Sequence, residues 1–331
     1  MENRQRLLEV KGLKTSFFTD AGEVKAVNDV SYHINEQEVV AIVGESGCGK
    51  SVTQMSVLQL VQDPPGKIVA GEVLFKGENL LKYSAKSKEM RAIRGAEIAM
   101  IFQEPMTSLN PVFTVGQQLS QVIRVHSRMG KREAWKEGVR ALKRVGIADA
   151  EKRMKNYPYQ MSGGMRQRVM IATAIACKSS LIIADEPTTA LDVTTQAQVM
   201  ELLLSVVREM KTSMVVVTHN LGLVTRYADR IYVMYAGKIV ESGTTEEIMT
   251  SPKHPYTIGL LKSVPNLNDE KGKALVPIDG APPIVINLPD QCSFLPRCPY
   301  ATDKCKCSSS PELHAIKDTE HCFACYRELE D

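Results

Sequence analysis

Eight consecutive residues, Gly44-Glu45-Ser46-Gly47-Cys48-Gly49-Lys50-Ser51, have the types and the spacing to hold a polyphosphate. They fit the pattern G-x-x-x-x-G-K-[ST] and follow the apolar run Val39 to Val43, which reads as a strand. Backbone N–H groups of such a loop curl around a β-phosphate, and the helix that follows aims its positive end at it. The Lys50 ammonium reaches the β- and γ-phosphates, and the Ser51 hydroxyl can sit on Mg2+. Gly44 and Gly49 let the backbone approach where a Cβ would collide. Without a strand before it and a helix after it, the same octet would be an ordinary surface turn.

A second set of groups fits the same chemistry. Asp185 and Glu186 end the apolar run Leu181-Ile182-Ile183-Ala184. Cleaving a phosphoanhydride needs a carboxylate for Mg2+ and a group that orients or deprotonates the attacking water. Asp185 suits the first role and Glu186 the second; an exposed acidic turn is the plainer alternative. Ser162-Gly163-Gly164 precedes the apolar stretch Val169 to Ala176. An N-cap hydroxyl, exposed N–H groups and a helix dipole make a second anion cradle there. One chain needs one phosphate loop per nucleotide, so this cradle is expected to face a nucleotide held by another subunit. By itself the triplet is a weak signal, since most such triplets are turns.

The elements that must position these groups are readable as patterns. Residues 7 to 34 alternate apolar and polar around the turn Asp20-Ala21-Gly22, which predicts antiparallel strands. Ser51 to Val61 reads as a helix, and Gly71 to Gly77 and Ile98 to Phe102 as short strands, with Gln103 at the end of the second. From about Glu104 to Met161 the pattern is helical. Trp135, Val139, Leu142 and Val145 share one face, and Lys136, Arg140 and Arg144 form a solvated face opposite. Met214 to Thr218 is another buried-type strand, followed by His219. Strands alternating with helices imply a mainly parallel sheet with functional groups at the strands' C-terminal ends. Ile231 to Glu241 reads as a hairpin about Ala236-Gly237, and Thr244 with Glu247 as a capping box.

The totals set the class. A chain of 331 residues, 44% hydrophobic and 24% charged, buries a large core and makes roughly two domains. With 41 basic against 38 acidic residues the net charge is +3, too balanced to argue for nucleic acid. The first residues open no apolar h-region, and no apolar run approaches the ~20 residues that span a bilayer. The expectation is a soluble, cytoplasmic chain able to dock on a membrane protein.

The eight cysteines are unevenly placed. Cys48 lies in the loop and Cys177 in a predicted helix. The other six, Cys292, Cys298, Cys305, Cys307, Cys322 and Cys325, crowd the last forty residues, after a segment with six prolines between Pro277 and Pro299. In a reducing compartment such a cluster points to a metal rather than to disulfides. Zinc and an iron–sulfur cluster both suit thiolates, and free thiols are the remaining alternative.

Taken together the motifs resemble the ATPase subunit of an ABC transporter. Gly44–Ser51 is similar to its Walker A motif and Leu181–Asp185 to Walker B, with Glu186 in the catalytic-glutamate place. Gln103 is similar to the Q-loop glutamine, Ser162-Gly163-Gly164 to the signature, Ala190-Leu191-Asp192 to the D-loop and His219 to the switch histidine. The motifs run in the family's order over roughly residues 6 to 245. The signature commonly reads Leu-Ser-Gly-Gly-Gln, and here Met161 and Met165 replace its first and last residues. Phe102 to Pro111, His254-Pro255-Tyr256-Thr257 and the tail cysteines resemble the peptide/nickel importer subfamily.

The resemblance implies an α/β P-loop NTPase (ABC ATPase) core with a mainly parallel sheet, an N-terminal antiparallel β-subdomain and a helical subdomain. It places the ATPase domain at 1–250, its helical subdomain at about 104–167, and a small cysteine-rich C-terminal domain at 251–331. It implies ATP and Mg2+ as ligands, with Ser51, Gln103 and Asp185 near the ion. An aromatic residue, Phe17 or Phe18, would stack on adenine; a core role suits either as well. It implies a [4Fe–4S] cluster on Cys292, Cys298, Cys305 and Cys325, with zinc as the alternative and Cys307 and Cys322 spare.

The partners implied are a second ABC ATPase subunit in a heterodimer, two integral-membrane permease subunits and, through them, an extracytoplasmic substrate-binding protein. The chain would lie peripherally on the cytoplasmic face of the membrane and drive uptake of di- or oligopeptides. Nickel or glutathione uptake is the alternative in the same role. Soluble ABC ATPases of translation or DNA repair carry two ATPase halves or a long coiled-coil insertion. Here there is one motif set and a short stretch between Gln103 and Ser162. A redox protein built on the cysteines would leave the ATPase motifs unexplained.

Overall fold

A computed structural model describes residues 5–103, 108–188, 192–263 and 277–327. The chain forms two compact units, one made of Met1–Asn35, Val39–Lys82 and Thr218–Asp331, the other of Glu36–Glu38 and Tyr83–Val217.

The first unit opens with the predicted antiparallel strands, β1 (Arg6–Thr19) and β2 (Gly22–Asn35), paired from Thr19↔Gly22 outward. Their alternation buries Leu8, Val10 and Leu13 on β1 and Val27, Val30 and Ile34 on β2. β4 (Gly66–Phe75) and the two-residue β5 (Glu78–Asn79) complete a sheet of order β2-β1-β4-β5. β4 starts at Gly66 rather than at Gly71. Its exposed first half carries little apolar pattern and is defined by pairing with β1, through Ser16↔Lys67 and Thr15↔Ile68.

β3 (Val39–Val43) is buried at every position, and α1 (Lys50–Val57) follows the loop at its end. α1 stops at Val57, short of Val61, ahead of Asp63-Pro64-Pro65, which cannot continue a helix. Buried polar contacts fix α1 against the antiparallel sheet: Thr15 Oγ1 to Ser56 Oγ at 2.8 Å, and the Tyr32 hydroxyl to Gln54 Oε1 at 3.1 Å. β3 runs parallel to β9 (Arg230–Tyr235), which turns through the predicted hairpin into β10 (Lys238–Thr244). α8 (Leu221–Val224) precedes β9, Thr244 and Glu247 form the predicted capping box of α9 (Thr245–Thr250), and His254 caps α10 (Pro255–Lys262). The tail adds β11 (His314–Ala315) and β12 (Cys322–Phe323), in the order β11-β12-β10-β9-β3.

In the second unit β6 (Ile98–Ile101), β7 (Leu181–Asp185) and β8 (Ser213–Thr218) are parallel, with β7 in the middle. β7 is buried along its whole length, as a continuous apolar run predicts for such a strand. The helices are α2 (Lys88–Ile93), α3 (Val115–Ser127), α4 (Lys131–Arg144), α5 (Ala150–Arg153), α6 (Gly163–Ile175) and α7 (Val193–Glu209). On α4 and just past it, Val139, Leu142 and Val145 are buried while Lys136, Arg140 and Arg144 face solvent, as their spacing predicts; Trp135 is half-buried. No helix among the described residues is long and apolar enough to cross a membrane.

Candidate active site

The octet Gly44–Ser51 joins the C-terminal end of β3 to the first turn of α1, whose N-cap is Gly49. Two of its glycines are obligatory. A Cβ at Gly44 (φ +155°) would lie 2.2 Å from the Met234 carbonyl oxygen, and one at Gly49 (φ +104°) 2.2 Å from that of Ala26. The loop is therefore pressed against the backbone of β9 and β2. Lys50 is buried, and its ammonium donates to the carbonyl oxygens of Gly44 at 2.7 Å and Glu45 at 2.8 Å. The Cys48 thiol is buried as well. Burial pushes its pKa up and outweighs the Lys50 ammonium, so it acts as a packing group rather than a nucleophile.

Glu45 has a different place from its neighbours in the octet. Its N–H donates to the Tyr256 hydroxyl at 2.8 Å, and its carboxylate is gripped by Arg297. Sequence reasoning missed both partners as site residues. The signals were present: Tyr256 sits in His254-Pro255-Tyr256-Thr257, and Arg297 between Cys292 and Cys298. Of the two phenylalanines, Phe17 is half-buried on β1 against Gly66, where a Cβ would meet its ring at 2.8 Å, and Phe18 is 52% exposed. His219 is exposed just past β8, in the same unit as the loop.

The second unit brings Gln103, Asp185 and Glu186 together at the C-terminal ends of β6 and β7. Asp185 closes β7 and is buried. Glu186 is also buried, and its N–H donates to the Val217 carbonyl at 2.9 Å. Its φ of +43° is left-handed, a conformation that costs a non-glycine residue roughly 1 kcal/mol and gathers at functional positions. The Gln103 amide donates to Glu186 Oε2 at 3.1 Å and fixes where that carboxylate points. Ser162 is the exposed N-cap of α6; its hydroxyl accepts from Met165 N–H at 3.3 Å, and Gly163 and Gly164 form the first turn. Asp192, also exposed, caps α7 by accepting from Thr195 N–H at 3.0 Å. Glu104 to Thr107, and Ala190 and Leu191, lie outside the described residues.

In the tail, Cys292, Cys298, Cys305 and Cys325 line one pocket, floored by His254 and Phe294. Burial, seconded by the other thiols, pushes the pKa values of Cys292, Cys298 and Cys325 up. Cys322 points elsewhere, with its Sγ 3.7 Å from the Glu320 carbonyl oxygen; the Cys307 side chain is outside what is described. Among the described residues no group of three or more His, Cys, Asp or Glu side chains is drawn tightly enough to hold a metal ion. Neither the [4Fe–4S] cluster nor the zinc alternative gains support from this spacing.

The chain matches two families: ABC transporters over residues 27–189, and the C-terminal region of oligopeptide/dipeptide transporters over residues 240–305. It is 49% identical to the oligopeptide transport ATP-binding protein AppD of Bacillus subtilis, over 96% of each chain. It is 51% identical to the dipeptide transport ATP-binding protein DppD of the same organism, over 89% of this chain and 87% of that one. Among solved structures it resembles the ATP-binding cassette MJ0796 in a dimeric post-hydrolysis state bound to ADP and Pi. That match has a TM-score of 0.64 at 28% identity and covers 72% of this chain and 98% of the other.

Proposed function

The chain belongs to the ABC transporter family and is an ABC-type ATPase, and from that premise we propose that it is the motor subunit of an importer of di- or oligopeptides. The loop supports this reading: glycines hemmed in by the backbone of β9 and β2 join the buried strand β3 to α1, with the buried Lys50 in its first turn, the strand–loop–helix arrangement that cradles phosphates. Lys50 would exchange its loop carbonyls for β- and γ-phosphate oxygens, and Ser51 and Asp185 would hold Mg2+, which neutralises charge developing on the phosphates. Glu186, oriented by Gln103, would polarise the attacking water, and His219 would contact the γ-phosphate. Ser162, Gly163, Gly164 and Asp192 would face the nucleotide of a second ATPase subunit, with Phe17 against adenine.

In this reading the ATPase domain covers 1–250, with its helical part at about 104–167, and 251–331 is the importer-type C-terminal region. The motor works as a heterodimer on the cytoplasmic face of the membrane, with two permease subunits that receive substrate from an external binding protein. A [4Fe–4S] cluster on Cys292, Cys298, Cys305 and Cys325 rests on the resemblance of the tail cysteines to this importer group and on the one pocket that these four residues line. Such a group would tie a proline-rich segment together through thiolate–iron bonds.

The test is Glu186→Gln. It should keep ATP affinity within about twofold and lower turnover by at least ~100-fold; ordinary ATPase activity would remove Glu186 as the base. Lys50→Ala should lose ATP binding itself, and unchanged affinity would refute the loop assignment.

A further inference from the structure

A carboxylate stands where it should hinder binding. Glu45 directly follows Gly44 in the phosphate loop, and its side chain remains 27% exposed. An unpaired carboxylate beside a triphosphate repels it, because like charges at short range in a partly desolvated site interact strongly.

The structure answers that charge with one residue from the far end of the chain. The Arg297 side chain is 4% exposed and closes on Glu45 in a fork: Nη1 donates to Oε2 at 2.6 Å and Nη2 to Oε1 at 3.0 Å. Two parallel charge-assisted bonds of this kind fix orientation as well as charge. Arg297 is itself fixed on every nitrogen. Nε donates to the Asp279 carbonyl at 2.9 Å, Nη1 to the Tyr235 hydroxyl at 3.3 Å, and Nη2 to the Ile278 carbonyl at 3.4 Å. The guanidinium carbon stands 5.8 Å from the Tyr235 ring centre and 6.0 Å from that of Phe294. The main chain of Glu45 is held from the same side, its N–H on the hydroxyl of Tyr256, whose ring packs 4.6 Å from Tyr235 and 5.5 Å from Phe294.

We propose that Arg297 is a positioning residue for ATP binding: it neutralises the Glu45 carboxylate and holds it back from the triphosphate. The C-terminal segment thereby sets the triphosphate affinity of a loop 252 residues away in the chain. The inference rests on Gly44–Ser51 being the ATP loop.

The experiment measures Kd for ATP and ADP on the full-length protein by titration with a fluorescent nucleotide analogue and competition. The variants are Arg297→Met, Glu45→Gln, the double variant and, as a control on the loop, Lys50→Ala. Thermal midpoint and titratable thiols report whether each has folded. Arg297→Met should raise Kd for ATP about tenfold, more than for ADP, and the loss should shrink as salt rises. The double variant should recover to within about twofold of wild type, because the repelling charge is gone. A purely structural pair would weaken both nucleotides alike, independently of salt, and the double variant would not recover; that result overturns the proposal, as does an unchanged Kd for Arg297→Met. If Arg297→Met does not fold, Arg297→Lys replaces it, with about a threefold loss expected and the same recovery on Glu45→Gln. Lys50→Ala without effect on ATP would condemn the loop assignment instead, which keeps the two failures apart.

Discussion

At the scale of single residues, a buried histidine holds the tail against the rest of its unit. The ring of His254 is buried; its Nδ1 accepts from Tyr256 N–H at 3.1 Å. Its backbone N–H donates to Glu241 Oε2 at 2.9 Å, and that buried carboxylate also accepts from Lys253 N–H and pairs with His321 Nε2 at 2.7 Å. Burial drives the His254 pKa down to about 4, against a smaller upward pull from Glu241. The unfolded chain binds this proton near pH 6.5 and the folded one only near pH 4, so the unfolded state carries more protons between those values. Stability from this group is complete above pH 6.5 and is lost as pH falls toward 4, by up to about 3 kcal/mol. His254→Asn keeps an acceptor for Tyr256 N–H and cannot titrate. Its thermal midpoint should fall less steeply than that of wild type from pH 6.5 to 5; parallel curves would show that His254 does not carry the effect.

At the scale of elements, caps and strand ends decide where the chemistry sits. β7 ends in Asp185 because a carboxylate cannot continue a buried apolar run, and the chain then turns left-handed at Glu186. α6 starts at the Ser162 hydroxyl, which satisfies an N–H of its first turn. Ser162→Ala should cost about 1 kcal/mol of stability, read as a lower midpoint in urea without nucleotide. No shift would mean that Ser162 serves only a ligand. These features were legible beforehand, since capping and strand termination are written in neighbouring residues. The end of α1 and the start of β4 were not, because Gly66 to Ala70 is held as a strand by its partner β1 rather than by its own pattern.

At the scale of the whole molecule, the tail joins the unit that carries the phosphate loop. β12 pairs with β10 through Ser242↔Cys322 and Glu241↔Phe323, and Arg230 forms an ion pair with Glu320. Protein purified without oxygen should contain about four irons and four acid-labile sulfides per chain, and chelation should lower its thermal midpoint. Stoichiometric zinc in their place would refute the iron–sulfur assignment.

The chain's local order by itself determined the strand–loop–helix at Gly44–Ser51, the Asp185–Glu186 strand end, the Ser162 cap and the antiparallel entry, because each depends on residues within a few positions of one another. Only the tertiary structure could decide that Arg297 and Tyr256 hold Glu45, that Gln103 aims Glu186, and that four of the six tail cysteines share a pocket. Those contacts join residues 252, 211 and 83 positions apart in the three hydrogen-bonded cases. The free energy that selects them comes from packing and desolvation in the folded core, which no window of neighbouring residues contains.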